Sequence, residues 1–187
     1  MKSAVVYSTL TGNTRKVAEA VLKSMPEGTE IHDVASAPDP SGYDFIAMGF
    51  WVDKGHPDDK AMAYMKRIEG KKAFTFFTLG AKPASAHAYR CAYLAHTYYG
   101  SGTEEIGSFF CQGAIDPKLI EAMRKMPAGG PHSATPETEA RWAEAAKHPD
   151  AADLAAAEEA AKAARQIALG EDPMAAYKAA MAKKAQQ

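Results

Sequence analysis

Apolar residues fall along this chain in short runs that alternate with stretches of helical spacing. Ala4-Val5-Val6-Tyr7 is an unbroken apolar run, the pattern of a strand buried on both faces. Thr14 to Ser24 then carries Val17, Ala18, Val21 and Leu22 along one helix face. Thr29 to Val34 reads as a second strand, and Ala35 to Gly42, with Pro38 and Pro40, as a loop. Phe45 to Trp51 predicts a third strand. A helix is expected to start at His56-Pro57-Asp58-Asp59, to bury Met62, Met65 and Ile68, and to stop at Gly70. Lys71 to Leu79 is the fourth strand, Ser85 to Tyr99 a helix rich in Ala and Tyr, and Glu105 to Cys111 the fifth strand. No hairpin signal of the Asn-Gly type separates two strand runs.

Strands regularly separated by helices predict an α/β fold: a five-stranded parallel sheet in a doubly wound, three-layer sandwich. That core is expected to occupy residues 1–125. Residues 126–136, rich in proline and glycine, read as a linker or wrapping loop. Residues 137–187 form an Ala-rich helical extension whose first helix is expected to complete the fold, with a break at His148-Pro149. Ten of the eighteen residues 151–168 are alanine, which favours helix but buries little area per residue. A homo-oligomer formed through these helices is therefore an expectation. Met174 to Gln187 is expected to form a last amphipathic turn or to fray.

Composition narrows the function classes. The 187 residues are 47% hydrophobic and 24% charged, with a net charge of −1. General disorder is excluded, and no overall field draws the chain to nucleic acid or an anionic membrane. The opening apolar run is too short for a signal segment, and no run reaches the roughly 18–20 residues of a membrane span. Two cysteines, Cys91 and Cys111, make no disulfide framework, so a reducing cytoplasmic setting is expected.

The informative stretch follows the first strand: Ser8-Thr9-Leu10-Thr11-Gly12-Asn13-Thr14. A buried strand runs into small hydroxyl residues and one glycine, and a helix begins. The helix start offers unpaired amides and positive potential. The hydroxyls add donors, and Gly12 lets the backbone approach a ligand. The object this suits is a phosphate. Thr and Asn are also preferred helix caps, but four hydroxyls, a glycine and an asparagine in seven residues favour the anion site. With no lysine in the loop, a triphosphatase P-loop is excluded, and no Gly-x-Gly-x-x-Gly supports a dinucleotide.

With Val5, Val6, Tyr7, Thr9, Gly12, Thr14 and Ala18 in place, the chain resembles the flavodoxins, as a divergent branch rather than one of the short electron carriers. The resemblance runs from Lys2 to about Met123. It implies strand order 2-1-3-4-5 and flavin mononucleotide (FMN) at the switch point, its phosphate held by Ser8, Thr9, Thr11, Gly12, Asn13 and Thr14. The loops leaving the third and fourth strands would then flank the ring. Phe50, Trp51, Val52 and Gly55 are the candidates in the first, and Leu79, Gly80 and Ala81 in the second. Alternation along the strand sends one of Phe50 and Trp51 toward the site and the other into the sheet face, and Gly55 would bring a peptide near the ring edge. The second loop lacks an aromatic, which leaves an open ring face, and Lys82 adds positive charge nearby. Cys111 reads as a buried thiol at a strand end. Tyr89, Tyr93, Tyr98 and Tyr99 read as core and sheet cover. No metal set is found: His87 and Cys91 are one turn apart without a second pair. No residue stands out as catalytic.

Three readings follow. The first is an electron carrier docking transiently with a partner oxidoreductase. The second is an FMN-dependent oxidoreductase acting on a planar quinone-like or tetrapyrrole-like substrate. The third is a binding module with a vacant flavin site.

Overall fold

The computed structural model describes residues 1–127, 129–130, 133–175 and 178. Most of the Met174–Gln187 segment, for which a last turn or fraying was expected, lies outside the described residues. Strands β1 (Ser3–Tyr7), β2 (Glu30–Asp33), β3 (Phe45–Asp53), β5 (Lys72–Leu79) and β6 (Glu104–Gln112) form a sheet in the order β2-β1-β3-β5-β6. Every pairing in that path is parallel. The order is the expected 2-1-3-4-5, because the remaining strand, β4 (His56–Pro57), pairs only with the end of β3, antiparallel.

That small hairpin replaces the start of the expected helix. Asp53 pairs with His56 across Lys54 and Gly55, which have φ of 49° and 90°. Two-residue hairpin turns of type I′ need positive φ at both central positions. Here lysine takes one of them, so the turn carried no Asn-Gly signature. Helix α2 is consequently short, Asp59–Met65, with Asp58 as its cap.

One sheet face is covered by α2 and α3 (Ala86–Ala95), the other by α1 (Asn13–Ser24) and α6 (Ala151–Ala168). Neighbouring parallel strands place residues in register on the same face. Phe50, Phe77 and Phe110 accordingly stack across β3, β5 and β6, at centroid distances of 5.0 and 4.8 Å. On the opposite face Ala157, Ala161 and Ala164 of α6 are buried against the sheet and α1. Small side chains let this helix lie close, with the Ala164 methyl 3.7 Å from where a Cβ on Gly107 would stand. The alanine stripe is thus covered within the chain.

Helices α4 (Pro117–Arg124) and α5 (Pro136–Ala145) lie in the chain between β6 and α6. The break at His148-Pro149 is present, separating α5 from α6, but α6 rather than α5 covers the sheet. Tyr89 and Tyr93 are exposed on α3 rather than buried. No helix among the described residues is long and apolar enough to cross a membrane.

Candidate flavin site

The parallel strands deliver β1, β3, β5 and β6 to one edge of the sheet, and the loops leaving them surround a cavity of about 670 Å³. Helix α1 starts there. Its N-cap, Gly12, has φ 87° and gives no side-chain cap, so no capping side chain takes the first amides of the helix. Thr9 Oγ1 accepts the Gly12 amide at 3.0 Å and folds the loop back on itself. Thr11 is exposed and, with Leu10 and Asn13, lines the cavity. Asn13 is buried and donates through Nδ2 to Thr11 Oγ1 and to the Ala114 carbonyl, which ties this loop to the exit of β6.

Two of the expected phosphate-loop hydroxyls point elsewhere. Ser8 donates to Asp58 Oδ1 at 2.7 Å in a buried contact, and its amide bonds the Gly49 carbonyl. Thr14 is fully buried with its hydroxyl 3.0 Å from that of Thr78. Both anchor the loop to the sheet. Asp58 Oδ2 is buried without a partner among the described residues, and burial pushes this carboxyl above its ordinary range against the hydrogen bond from Ser8.

Trp51 and Val52, near the end of β3, line the cavity. Phe50 does not: it is fully buried in the aromatic stack on the α2/α3 face. The register that pairs Phe50 with Phe77 pairs Trp51 with Thr78 on the other face, so alternation assigns the site to the tryptophan. Gly55 is also absent from the lining; a Cβ there would lie 3.6 Å from the His87 ring. Leu79, Gly80 and Ala81 line the cavity, together with Lys82. Gly80 is required by close approach, since a Cβ on it would stand 2.7 Å from Ile115.

A further wall of the cavity comes from residues after β6, which carry no motif of the site. Ile115 and Asp116, Leu119 and Met123 of α4, and Arg141 and Trp142 of α5 all line the cavity. The signals were present: Asp116-Pro117 and Thr135-Pro136 are cap-plus-proline helix starts, and both side chains do cap. Cys111 is buried, and burial pushes its thiol well above the ordinary range, as fits a packed thiol. His148, Asp150 and Asp153 have ligand atoms within 4.8 Å of one another, but Asp150 and Asp153 form the capping box that starts α6 and His148 pairs with Asp153.

A family model for the flavodoxin domain matches residues 4–162. The chain belongs to that family. It is 34% identical over 130 residues to the flavodoxin-like domain-containing protein BilS of Clostridioides difficile (strain CD3), covering 67% of this chain and 74% of the relative. A BilS of Clostridium symbiosum (strain WAL-14163) is 28% identical over 175 residues, covering 83% and 92%. Among solved structures, a flavodoxin from the domain Archaea superposes with TM-score 0.51 and 14% identity over 90% of this chain and 99% of its own. Rubredoxin oxygen:oxidoreductase from Desulfovibrio gigas gives TM-score 0.52 and 10% identity over 90% of this chain and 36% of its own. At such identities the structural likeness shows the fold alone. A flavodoxin domain is consistent with a flavin-binding redox protein. The residues fit such a group: an uncapped helix start, an adjoining cavity, an indole on one wall, and small residues at the exit of β5.

Proposed function

We propose that this protein binds FMN and carries electrons to or from a partner oxidoreductase. The reading rests on one observation: the uncapped start of α1 adjoins the same cavity that Trp51 and the Leu79–Ala81 backbone enclose. In this reading the amides at the start of α1 and the Thr11 hydroxyl hold the phosphate. Trp51 offers an apolar face to the ring. Gly80 and Ala81 leave room for a planar group, and Lys82 supplies positive charge at the rim. Bound FMN supplies the electron chemistry; the chain binds, orients and partly excludes water from it.

The test uses Thr11, whose exposure allows a charge to be added without opening the core. Thr11→Asp sets a carboxylate against the phosphate. FMN affinity, followed by the visible flavin bands, is expected to fall about tenfold or more. The thermal midpoint of the unliganded protein should hold. Equal affinity in wild type and variant rejects the phosphate assignment.

The reach of the cavity to α4 and α5 favours a second reading, an FMN-dependent oxidoreductase with its own planar quinone-like or tetrapyrrole-like substrate. FMN-loaded protein that reduces a soluble naphthoquinone no faster than free reduced FMN does rules that reading out.

A further inference from the structure

The α4–α5 pair stands apart from the layers that make the fold. The sheet is already covered by α1 and α6 on one face and α2 and α3 on the other, yet α5 is firmly seated. Trp142 is 3% exposed. Arg124 of α4 grips Glu139 of α5 through two 2.6 Å hydrogen bonds, and the His148 carbonyl just beyond α5 accepts the Ala114 amide. A helix held in this way presents the same side chains to the cavity continuously. Those side chains are Glu137, Arg141 and Trp142.

The charges lining the cavity are unequally engaged. Asp116 caps α4 by accepting the Lys118 amide, and Glu137 lies in the first turn of α5. Both acids therefore sit at helix starts, where the positive end of the dipole offsets them. Arg15, Arg67 and Arg124 each hold a carboxylate. Arg141 is half-buried and has no hydrogen bond or ion pair within the described residues. A guanidinium presents five donors in a fixed fork suited to planar, anionic oxygen pairs. Its guanidinium nitrogens keep contact with solvent, so an anion entering the cavity would exchange water for a charge-assisted pair.

We propose that Arg141 is an anion-pairing residue of the flavin site, set there by α5 to hold anionic oxygens of bound FMN. The inference rests on the FMN reading above. The anionic oxygens of FMN are those of its phosphate, because the oxidised ring is neutral, and riboflavin, which lacks the phosphate, tests that assignment.

The experiment is a titration of the unliganded full chain with FMN and with riboflavin, in wild type, Arg141→Gln and Arg141→Lys, at low and high salt. Arg141→Gln is expected to weaken FMN about tenfold, Arg141→Lys to keep most of the affinity, and wild-type FMN affinity to fall with salt more steeply than that of Arg141→Gln. Riboflavin affinity unchanged by Arg141→Gln assigns the phosphate as the partner. A riboflavin loss equal to that of FMN overturns the proposal, because the neutral ring offers no anionic oxygen. FMN affinity equal in wild type and both variants overturns the proposal while leaving FMN binding intact. A salt-insensitive wild-type affinity overturns it without need of any variant, should one fail to fold. Wild-type protein that takes up no FMN overturns this proposal and the reading beneath it together.

Discussion

Two adjacent aromatic residues on β3 divide the work of fold and site. Phe50 lies between strands in an aromatic stack with Phe77, 5.0 Å away; Trp51, one residue on, lines the cavity. Truncating each should have opposite signatures. Phe50→Ala is expected to cost about 3–5 kcal/mol of folding stability, measured by urea denaturation. Trp51→Ala is expected to leave the unliganded midpoint close to wild type and to weaken FMN about tenfold. The same division runs through the loop after β1. Thr9 and Asn13 shape it through short local bonds, Ser8 and Thr14 are held by Asp58 and Thr78, and Thr11 stays exposed at the cavity. The composition of the loop was legible as a candidate anion site. Which hydroxyls serve the ligand was not, because Asp58 and Thr78, partners 50 and 64 residues away, take two of them.

Among the elements, α6 shows how a weak-looking helix is secured. Its alanines bury little area each, but they permit close contact along the sheet and α1. Its start is fixed by Asp150, which accepts the amides of Ala152 and Asp153, and by His148, whose Nδ1 lies 2.5 Å from Asp153 Oδ2. The Asp153 carboxylate favours protonated His148 and raises its pKa above the ordinary 6.5. A raised folded-state pKa means that this contribution is complete below the unfolded value and is lost as pH climbs through the folded one. The midpoint difference between wild type and His148→Gln should therefore be larger at about pH 6 than at about pH 9. A difference that is flat or grows with pH would show that His148 has no part in seating the helix. At this scale the periodic strands and α1 were readable from spacing alone. The β3–β4 hairpin escaped because a lysine occupies a positive-φ position, and α4 because eight residues give little periodicity.

Over the whole molecule, the cavity is where segments distant in the chain meet: the loops after β1, β3 and β5, and the wall made by α4 and α5. A ligand filling it joins these parts in the native state only. Binding then stabilises by mass action, about 2.7 kcal/mol when free FMN is about a hundredfold above its dissociation constant. For a chain of this size the thermal midpoint should rise by about 5–10 °C, read by calorimetry with and without FMN. An unshifted midpoint at that excess would show that FMN does not bind the folded state selectively.

The strand order came only with the family resemblance. The fold class and the position of a candidate anion loop are written in local pattern: apolar runs long enough to bury, helical spacing between them, and small hydroxyl residues where β1 gives way to α1. Such features depend on near neighbours in the chain, so they survive without coordinates. Register and packing decided the rest. They sent Phe50 inward and Trp51 to the cavity, bound Ser8 to Asp58, laid the alanine stripe of α6 on the sheet, and brought Arg141 and Trp142 across to a site begun more than a hundred residues earlier. Those outcomes depend on which distant surfaces fill the same space, and no local spacing encodes that.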